Sequence, residues 1–319
     1  MIVQACAHAD RKKHGKDRKG HQRFKCRECG KTWSDTPRAL LDDMRIPIDK
    51  AELALRLLME GNSILSSSRI TGLDEKTIAR LMVLVGQRCQ RFMRRKIRNV
   101  AVSDVQVDEI WGFVGCKQAT AKRRGHGYDK GDAYTFIAFE RDSKLVLCWH
   151  LGKRNHESTN AMMYKLSQAA KGKYQLTTDG FREYPEATFY NLPLFVDYAQ
   201  LVKIYGGSGG RSSEARYSPA KIRDANKKPV RGNPRWDRIS TSHVERQNLN
   251  IRMGVRRMTR LTNAFSKKWE NHEAATALYL AYYNFCRIHG TIKTTPAVES
   301  GLADHQWTVR ELLEETATH

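Results

Sequence analysis

The stretch Val107-Asp108-Glu109-Ile110-Trp111-Gly112-Phe113-Val114 decides how this chain is read. Branched and aromatic residues suit a pleated, half-buried surface, so Val105 to Val114 is predicted as a strand. It nevertheless carries two acids. A carboxylate in an apolar strand is costly unless it is paired, hydrogen-bonded or bound to a metal, which singles out Asp108. Alternation along the strand turns Glu109 to the opposite face.

Downstream, Tyr134–Glu140 and Lys144–Leu151 read as two more strands joined at Arg141-Asp142-Ser143. A helix over about Glu157–Ala170 leads to a fourth strand at Tyr174–Thr178, and a fifth is expected around Leu201–Tyr205. Residues 206–240, rich in Gly, Ser, Pro, Lys and Arg, are predicted as a long surface loop. Helices resume from Thr241 to Met258 and from Glu270 to Arg287, and a short acidic helix is expected at Thr308–Thr316. Strands, a helix, further strands and then helices imply a mixed α/β sheet, consistent with a ribonuclease-H-like core.

Two further acids fall at telling places. Asp179 ends the fourth strand, where open α/β sheets place ligand groups, with Asp197 as a rival second carboxylate. Glu245 stands in Ser242-His243-Val244-Glu245-Arg246-Gln247-Asn248, at the head of a helix, and Arg252 returns to the same helix face seven residues later. Cleaving a phosphodiester in line develops charge on the entering and leaving oxygens, which two divalent ions about 3.5–4 Å apart stabilise. Hard Mg²⁺ wants carboxylate ligands drawn from different elements. Asp108, Asp179 and Glu245 suit that chemistry.

Upstream, Ala51, Leu53, Ala54, Leu57 and Leu58 recur at helical spacing and stop at Gly61. A short helix from Ser63 to Ile70 ends at Thr71-Gly72, and a long one starts at the N-cap Asp74 and runs as far as Lys96. That order is a helix-turn-helix over residues 46–97, expected to turn Lys76, Thr77 and Arg80 to the major groove. Residues 1–38 are basic and rich in Gly, His and Cys, which suits a small metal-stapled unit.

The charge balance points the same way. The chain of 319 residues has a net charge of +22, with 11 bases against 4 acids in residues 1–40 and 16 against 4 in residues 211–268. Such blocks favour nucleic acid through counterion release. Seven cysteines, of which only Cys26 and Cys29 are tightly spaced, do not make a disulfide framework. No signal peptide opens the chain, and no apolar run approaches the roughly 18 residues that span a bilayer. A cytoplasmic setting without membrane partners is expected.

The blocks Val107–Gly115, Thr178-Asp179-Gly180 and His243–Arg252 resemble the three catalytic blocks of the insertion-sequence-one family of DDE transposases. The similarity continues through Arg256–Arg260, Phe265-Ser266-Lys267 and Tyr282-Tyr283-Asn284-Phe285, and covers essentially the whole chain. It implies a ribonuclease-H-like catalytic domain over residues 104–290, preceded by a zinc-ribbon-like segment (1–38) and a helix-turn-helix, with a C-terminal tail from 291 to 319. It makes Asp108, Asp179 and Glu245 the ligands of two Mg²⁺ (or Mn²⁺) ions, and Arg252 the basic residue that follows the glutamate.

The implied partners are double-stranded DNA (terminal inverted repeats and target) and further copies of the chain in a synaptic complex. Arg231, Arg235, Arg238, Arg246, Arg252, Arg256 and Arg257 are the expected DNA contacts of the basic block. Cys26-Arg27-Glu28-Cys29-Gly30 is a CxxC knuckle for structural zinc. Cys6 fits the second position of an upstream knuckle, Val3 occupies the first, and His8 or His14 is the expected substitute. Two rival readings are a catalytically inactive DNA-binding regulator, or domesticated relic, and a structure-selective nuclease of the same fold.

Overall fold

The computed structural model describes residues 6, 8–18, 20, 22–34, 40–205, 222–259 and 263–318. The chain divides into two compact units, Met1–Arg45 and Ile46–Ala317.

The first unit holds three antiparallel strands in the order β1 (Arg11–Lys16), β2 (Gln22–Cys26) and β3 (Thr32–Ser34). Every residue of β1 is exposed, and Cys26 and Leu41 are the only buried side chains among the unit's described residues. So small an apolar core cannot hold a sheet by itself. Phe24 stacks on Trp33, and Arg11 lies over the Phe24 ring at 4.8 Å.

The second unit opens with α1 (Ile48–Met59), α2 (Ile64–Thr71) and α3 (Glu75–Lys96). Ser63 caps α2 through the Ser66 amide at 3.0 Å, and Gly72 closes it in the left-handed region at φ 69°. Asp74 caps α3 through the amides of Lys76 and Thr77. The apolar stripe Ile78, Leu81, Met82, Val85, Cys89, Phe92 and Met93 is buried. Gly86 is needed where α3 crosses a later helix, since a Cβ there would lie 2.2 Å from the Ala274 carbonyl oxygen.

The strands that follow are β4 (Val100–Ala101), β5 (Asp104–Val114), β6 (Gly131–Glu140), β7 (Val146–Gly152), β8 (Ala170–Lys171), β9 (Gln175–Asp179), β10 (Asp197–Tyr205) and β11 (Ile222–Arg231). The main sheet has the order β11-β10-β9-β5-β6-β7. Neighbours from β5 to β7 are antiparallel, β5, β9 and β10 are parallel, and β11 returns antiparallel on β10. Helix α4 (Gln118–Arg123) lies between β5 and β6, while α5 (His156–Ala169) and α6 (Tyr184–Asn191) make the crossovers to β9 and β10. Helices α7 (Ser242–Gly254), α8 (Trp269–Phe285), α9 (Pro296–Glu299) and α10 (Val309–Ala317) complete the unit. The mixed α/β expectation is met.

Two sequence expectations need correction. Residues 222–231, assigned to the loop 206–240, form edge strand β11; residues 206–221 of that loop lie outside the described residues. The strand was hidden because six of its ten residues are charged or polar and its described side chains are mostly exposed, so no alternation marks it. Pro229, a strand breaker in a sheet interior, is tolerated at an edge beside a break in register. The stretch 291–319, expected as a tail, packs into the unit as far as residue 317. Trp307 stacks on Phe285 at 4.6 Å, Leu312 and Leu313 are buried, and Arg310 pairs with Asp49 and Glu52 of α1.

Candidate active site and metal centres

The strand register brings the acids together. β5 and β9 run parallel with Val107 opposite Thr178, so the next residues, Asp108 and Asp179, fall side by side at the centre of the sheet. Asp108 accepts from Asn248 Nδ2 of α7 at 2.8 Å. Burial, reinforced by the neighbouring Asp179, pushes its carboxyl up to about 6. Asp179 accepts the Phe181 amide at 2.9 Å and lies 3.4 Å from an Arg154 nitrogen; burial raises its pKa too.

Glu109 joins them. Its Cβ projects away from Asp108, as alternation requires, yet the ligand oxygens of Asp108, Glu109 and Asp179 all lie within 4.8 Å of one another. Burial and then Asp179 push the Glu109 carboxyl up to about 8. The sequence reading missed this because alternation fixes only where a side chain starts. A glutamate arm can curl around the strand end toward a residue such as Asp179, which terminates the adjacent strand.

Glu245 stands beside this group without belonging to it. Its Oε1 accepts from Lys203 of β10 and from the Thr241 hydroxyl. It is nonetheless close enough for its charge to act on Asp108 and Asp179. The rival Asp197 has a structural job at the start of β10, where its Oδ1 accepts the Asn233 amide at 2.8 Å.

Gln106, another residue the sequence reading passed over, fixes α7 on the sheet. Fully buried in β5, its Oε1 accepts the amides of His243 and Val244, both at 3.1 Å. These are orphan donors of a helix first turn that no side chain of α7 itself caps. Gln106 and Asn248 together set where Glu245 stands relative to Asp108. The available signal was a glutamine between Val105 and Val107 in an otherwise apolar run.

Arg252 lies on the Glu245 face of α7, but its guanidinium donates to the carbonyls of Trp111 at 3.1 Å and Met258 at 3.3 Å. Arg231 donates to Val196 and Pro193 carbonyls, Arg235 pairs with Asp237, and Arg238 pairs with Asp142 at 3.1 Å. These four are thus engaged within the fold. Arg257 is largely buried, which pushes its pKa down to about 10. Lys76, Arg80, Arg246 and Arg256 are exposed, and Thr77 is half-buried.

In the first unit, ligand atoms of Cys6, His8, Cys26 and Cys29 lie within 4.8 Å of one another. His8 joins the cluster, and His14 stands on exposed β1 outside it. Cys6 and Cys26 sulfurs are 3.7 Å apart, and Cys29 Sγ is 3.3 Å from His8 Nδ1. A tetrahedron with Zn–S bonds of 2.3 Å and Zn–N bonds near 2.1 Å has edges of about 3.8 and 3.6 Å, so the set fits zinc. Gly30, at φ 74°, closes the knuckle by donating to the Cys26 carbonyl at 3.1 Å. Hydrogen bonding from the Cys29 amide, then from His8, lowers Cys26 to about 6, while the bond to Glu28 pushes Cys6 up to about 12.

No protein-family model matches the chain, and no curated protein matches it. No helix among the described residues is long and apolar enough to cross a membrane.

Proposed function

We propose that this chain is a transposase, which binds the terminal inverted repeats of its own element and cuts and joins DNA strands with divalent metal ions. The observation that carries this reading is the convergence of Asp108 and Asp179 from adjacent parallel strands, with Glu245 presented by a helix clamped to the same strand. The strand order β7-β6-β5-β9-β10 is the one a ribonuclease-H-like core calls for, and it supports that finer reading of the α/β fold.

The donor set fits hard divalent ions. The acids converge from different elements, Asn248 orients Asp108, and buried oxygens of Glu109 and Asn248 have no hydrogen-bond partner. Asp108 and Asp179 would hold the ions, with Glu245 completing the set once it leaves Lys203. Bound Mg²⁺ or Mn²⁺ would stabilise the charge on the attacking and leaving oxygens. Lys203, released from Glu245, is then positioned to hold a phosphate. The Cys6, His8, Cys26 and Cys29 cluster is read as structural zinc in a DNA-binding unit, and α2–α3 as the helix-turn-helix, with Lys76, Thr77 and Arg80 leading α3 toward the groove. Synapsis of two DNA ends calls for more than one copy of the chain.

The pairing of Glu245 with Lys203 gives the rival reading, a DNA-binding regulator with a silent catalytic domain, one specific point of support. Purified protein, Mn²⁺ or Mg²⁺ and duplexes carrying the inverted repeats that flank the gene separate the two. Strand cleavage and joining should occur, and Asp108→Asn should abolish both while still binding ends. End-binding without metal-dependent cleavage would establish the regulator. Joining by Asp108→Asn at the wild-type rate would overturn the site.

A further inference from the structure

The oddest side chain of the central group is Glu109. It is 4% exposed, and its Oε1 makes no hydrogen bond. The nearest cationic nitrogen, Arg154 Nε, is 3.6 Å away, beyond hydrogen-bonding distance. That same guanidinium lies 3.4 Å from Asp179 Oδ2 and rests on the Phe181 ring at 4.0 Å. Buried Tyr184 is the other polar group that acts on this carboxyl, but it leaves Oε1 bare. An ionised carboxylate with a bare buried oxygen is strongly unfavourable, and packing alone does not explain it. A glutamine of the same shape would cost the fold less.

What the position does offer is coordination. The oxygens of Glu109, Asp108 and Asp179 span at most 4.8 Å. Opposed ligands of one Mg²⁺ stand about 4.2 Å apart, so a shift of a few tenths of an ångström closes the set. Charge counts in the same direction. Two divalent ions carry four positive charges; Asp108, Asp179 and Glu245 supply three negative ones, and Glu109, once a bound ion displaces its proton, the fourth. Arg154, itself 38% exposed at the mouth of the group, neutralises part of that charge until a stronger cation arrives.

We propose that Glu109 is a ligand of the divalent ion held by Asp108 and Asp179, and that Arg154 is the placeholder which that ion displaces. This rests on reading the acids as a divalent-metal site, and it adds a fourth carboxylate to the three already assigned. Freed from Glu109 and Asp179, Arg154 can hold a phosphodiester beside the ions.

The test is Mn²⁺ titration of the full chain without DNA, following free Mn²⁺ by electron paramagnetic resonance. Glu109→Gln should weaken the tightest site by about tenfold or more, because affinity for hard cations follows ligand charge. Glu109→Asp, which keeps the charge on a shorter arm, should fall between Glu109→Gln and wild type. Arg154→Gln should bind Mn²⁺ more tightly than wild type, an outcome that a purely structural ion pair does not produce. If Glu109→Gln binds like wild type while Asp108→Asn has lost the ion, this proposal falls and the metal site stands. If wild type binds no Mn²⁺, both fall. Should Glu109→Gln fail to fold, Arg154→Gln decides: unchanged or weaker binding overturns the placeholder role.

Discussion

Gln106, in the interior of β5, accepts the backbone amide of Val244 in the first turn of α7 at 3.1 Å. Two residues along β5 stands Asp108, and one residue along α7 stands Glu245. A single buried carboxamide thus ties the strand that carries one acid to the helix that carries another. It does so where α7 lacks a side-chain cap of its own. Gln106→Met keeps the shape and removes the acceptor. Losing a helix cap costs about 1–2 kcal/mol, which urea melts would register. Strand transfer should fall further than that loss explains, because α7 is then free to shift against β5. Activity that simply tracks the folded fraction would reduce Gln106 to a structural residue.

Asp108 gives a pH signature that can be read without DNA. Its carboxyl titrates near 6 in the folded protein against 3.8 as the ordinary value, so between those values the folded chain holds more protons than the unfolded one. Stability contributed by the neutral acid is therefore present below about pH 4 and is lost as pH rises through 6. The loss amounts to at most about 3 kcal/mol. Asp108→Asn cannot ionise and can still accept from Asn248. With metal withheld, it should be more stable than wild type at pH 8, and the gap should close toward pH 4. A destabilisation of equal size at both pH values would mean that Asp108 is an ordinary structural acid.

The sequence made these two acids legible because Asp108 interrupts the run of branched and aromatic residues in β5, and because Asp179 falls where a strand ends. The central strands and long helices were readable for the same reason: Ile78 to Met93 in α3 and Val105 to Val114 in β5 bury one face or both, which leaves a period in the sequence. Elements without a buried stripe left no such trace. α6 is eight residues long with a proline in its first turn, and β11 is an exposed, charged edge. Gln106 stood out by its polarity, but its role, like those of Asn248 and the Glu109 oxygen, was hidden for a different reason. Their roles depend on what faces them across 70 to 140 residues of chain, which no local pattern encodes.

The basic residues divide into two kinds that the sequence could not tell apart. Arg238 pairs with Asp142 at 3.1 Å and lies 3.6 Å from buried Asp104, so Arg238→Gln should lower stability and leave the salt dependence of DNA binding unchanged. Burial holds the Asp104 carboxyl up at about 6 even with Arg141 and Arg238 beside it, and losing one partner makes its ionisation costlier still. Lys76 and Arg80 stand exposed in the first turns of α3. Neutralising each should reduce the slope of log affinity against log salt by about one unit per lost phosphate contact. A slope that changes with Arg238 and not with Lys76 or Arg80 would reverse the assignment of the DNA-facing surface.

The N-terminal unit offers the sharpest dependence on a metal. Its sheet has an exposed first strand, and among the unit's described residues only Cys26 and Leu41 are buried, so its stability must come from cross-linking the ends of the chain segments. Cys6 and His8 lie before β1, while Cys26 and Cys29 bracket the turn after β2, and one ion on all four would close both gaps. The purified chain should carry about one zinc per molecule, since a structural site with four ligands is normally filled. Cys29→Ser should lose that zinc, and the N-terminal 45 residues should become rapidly cleavable by protease while residues 46–317 resist. His14→Ala should keep both zinc and protection, because His14 stands on an exposed strand away from the cluster. Zinc retained by Cys29→Ser, or lost from His14→Ala, would show that another ligand set holds the ion.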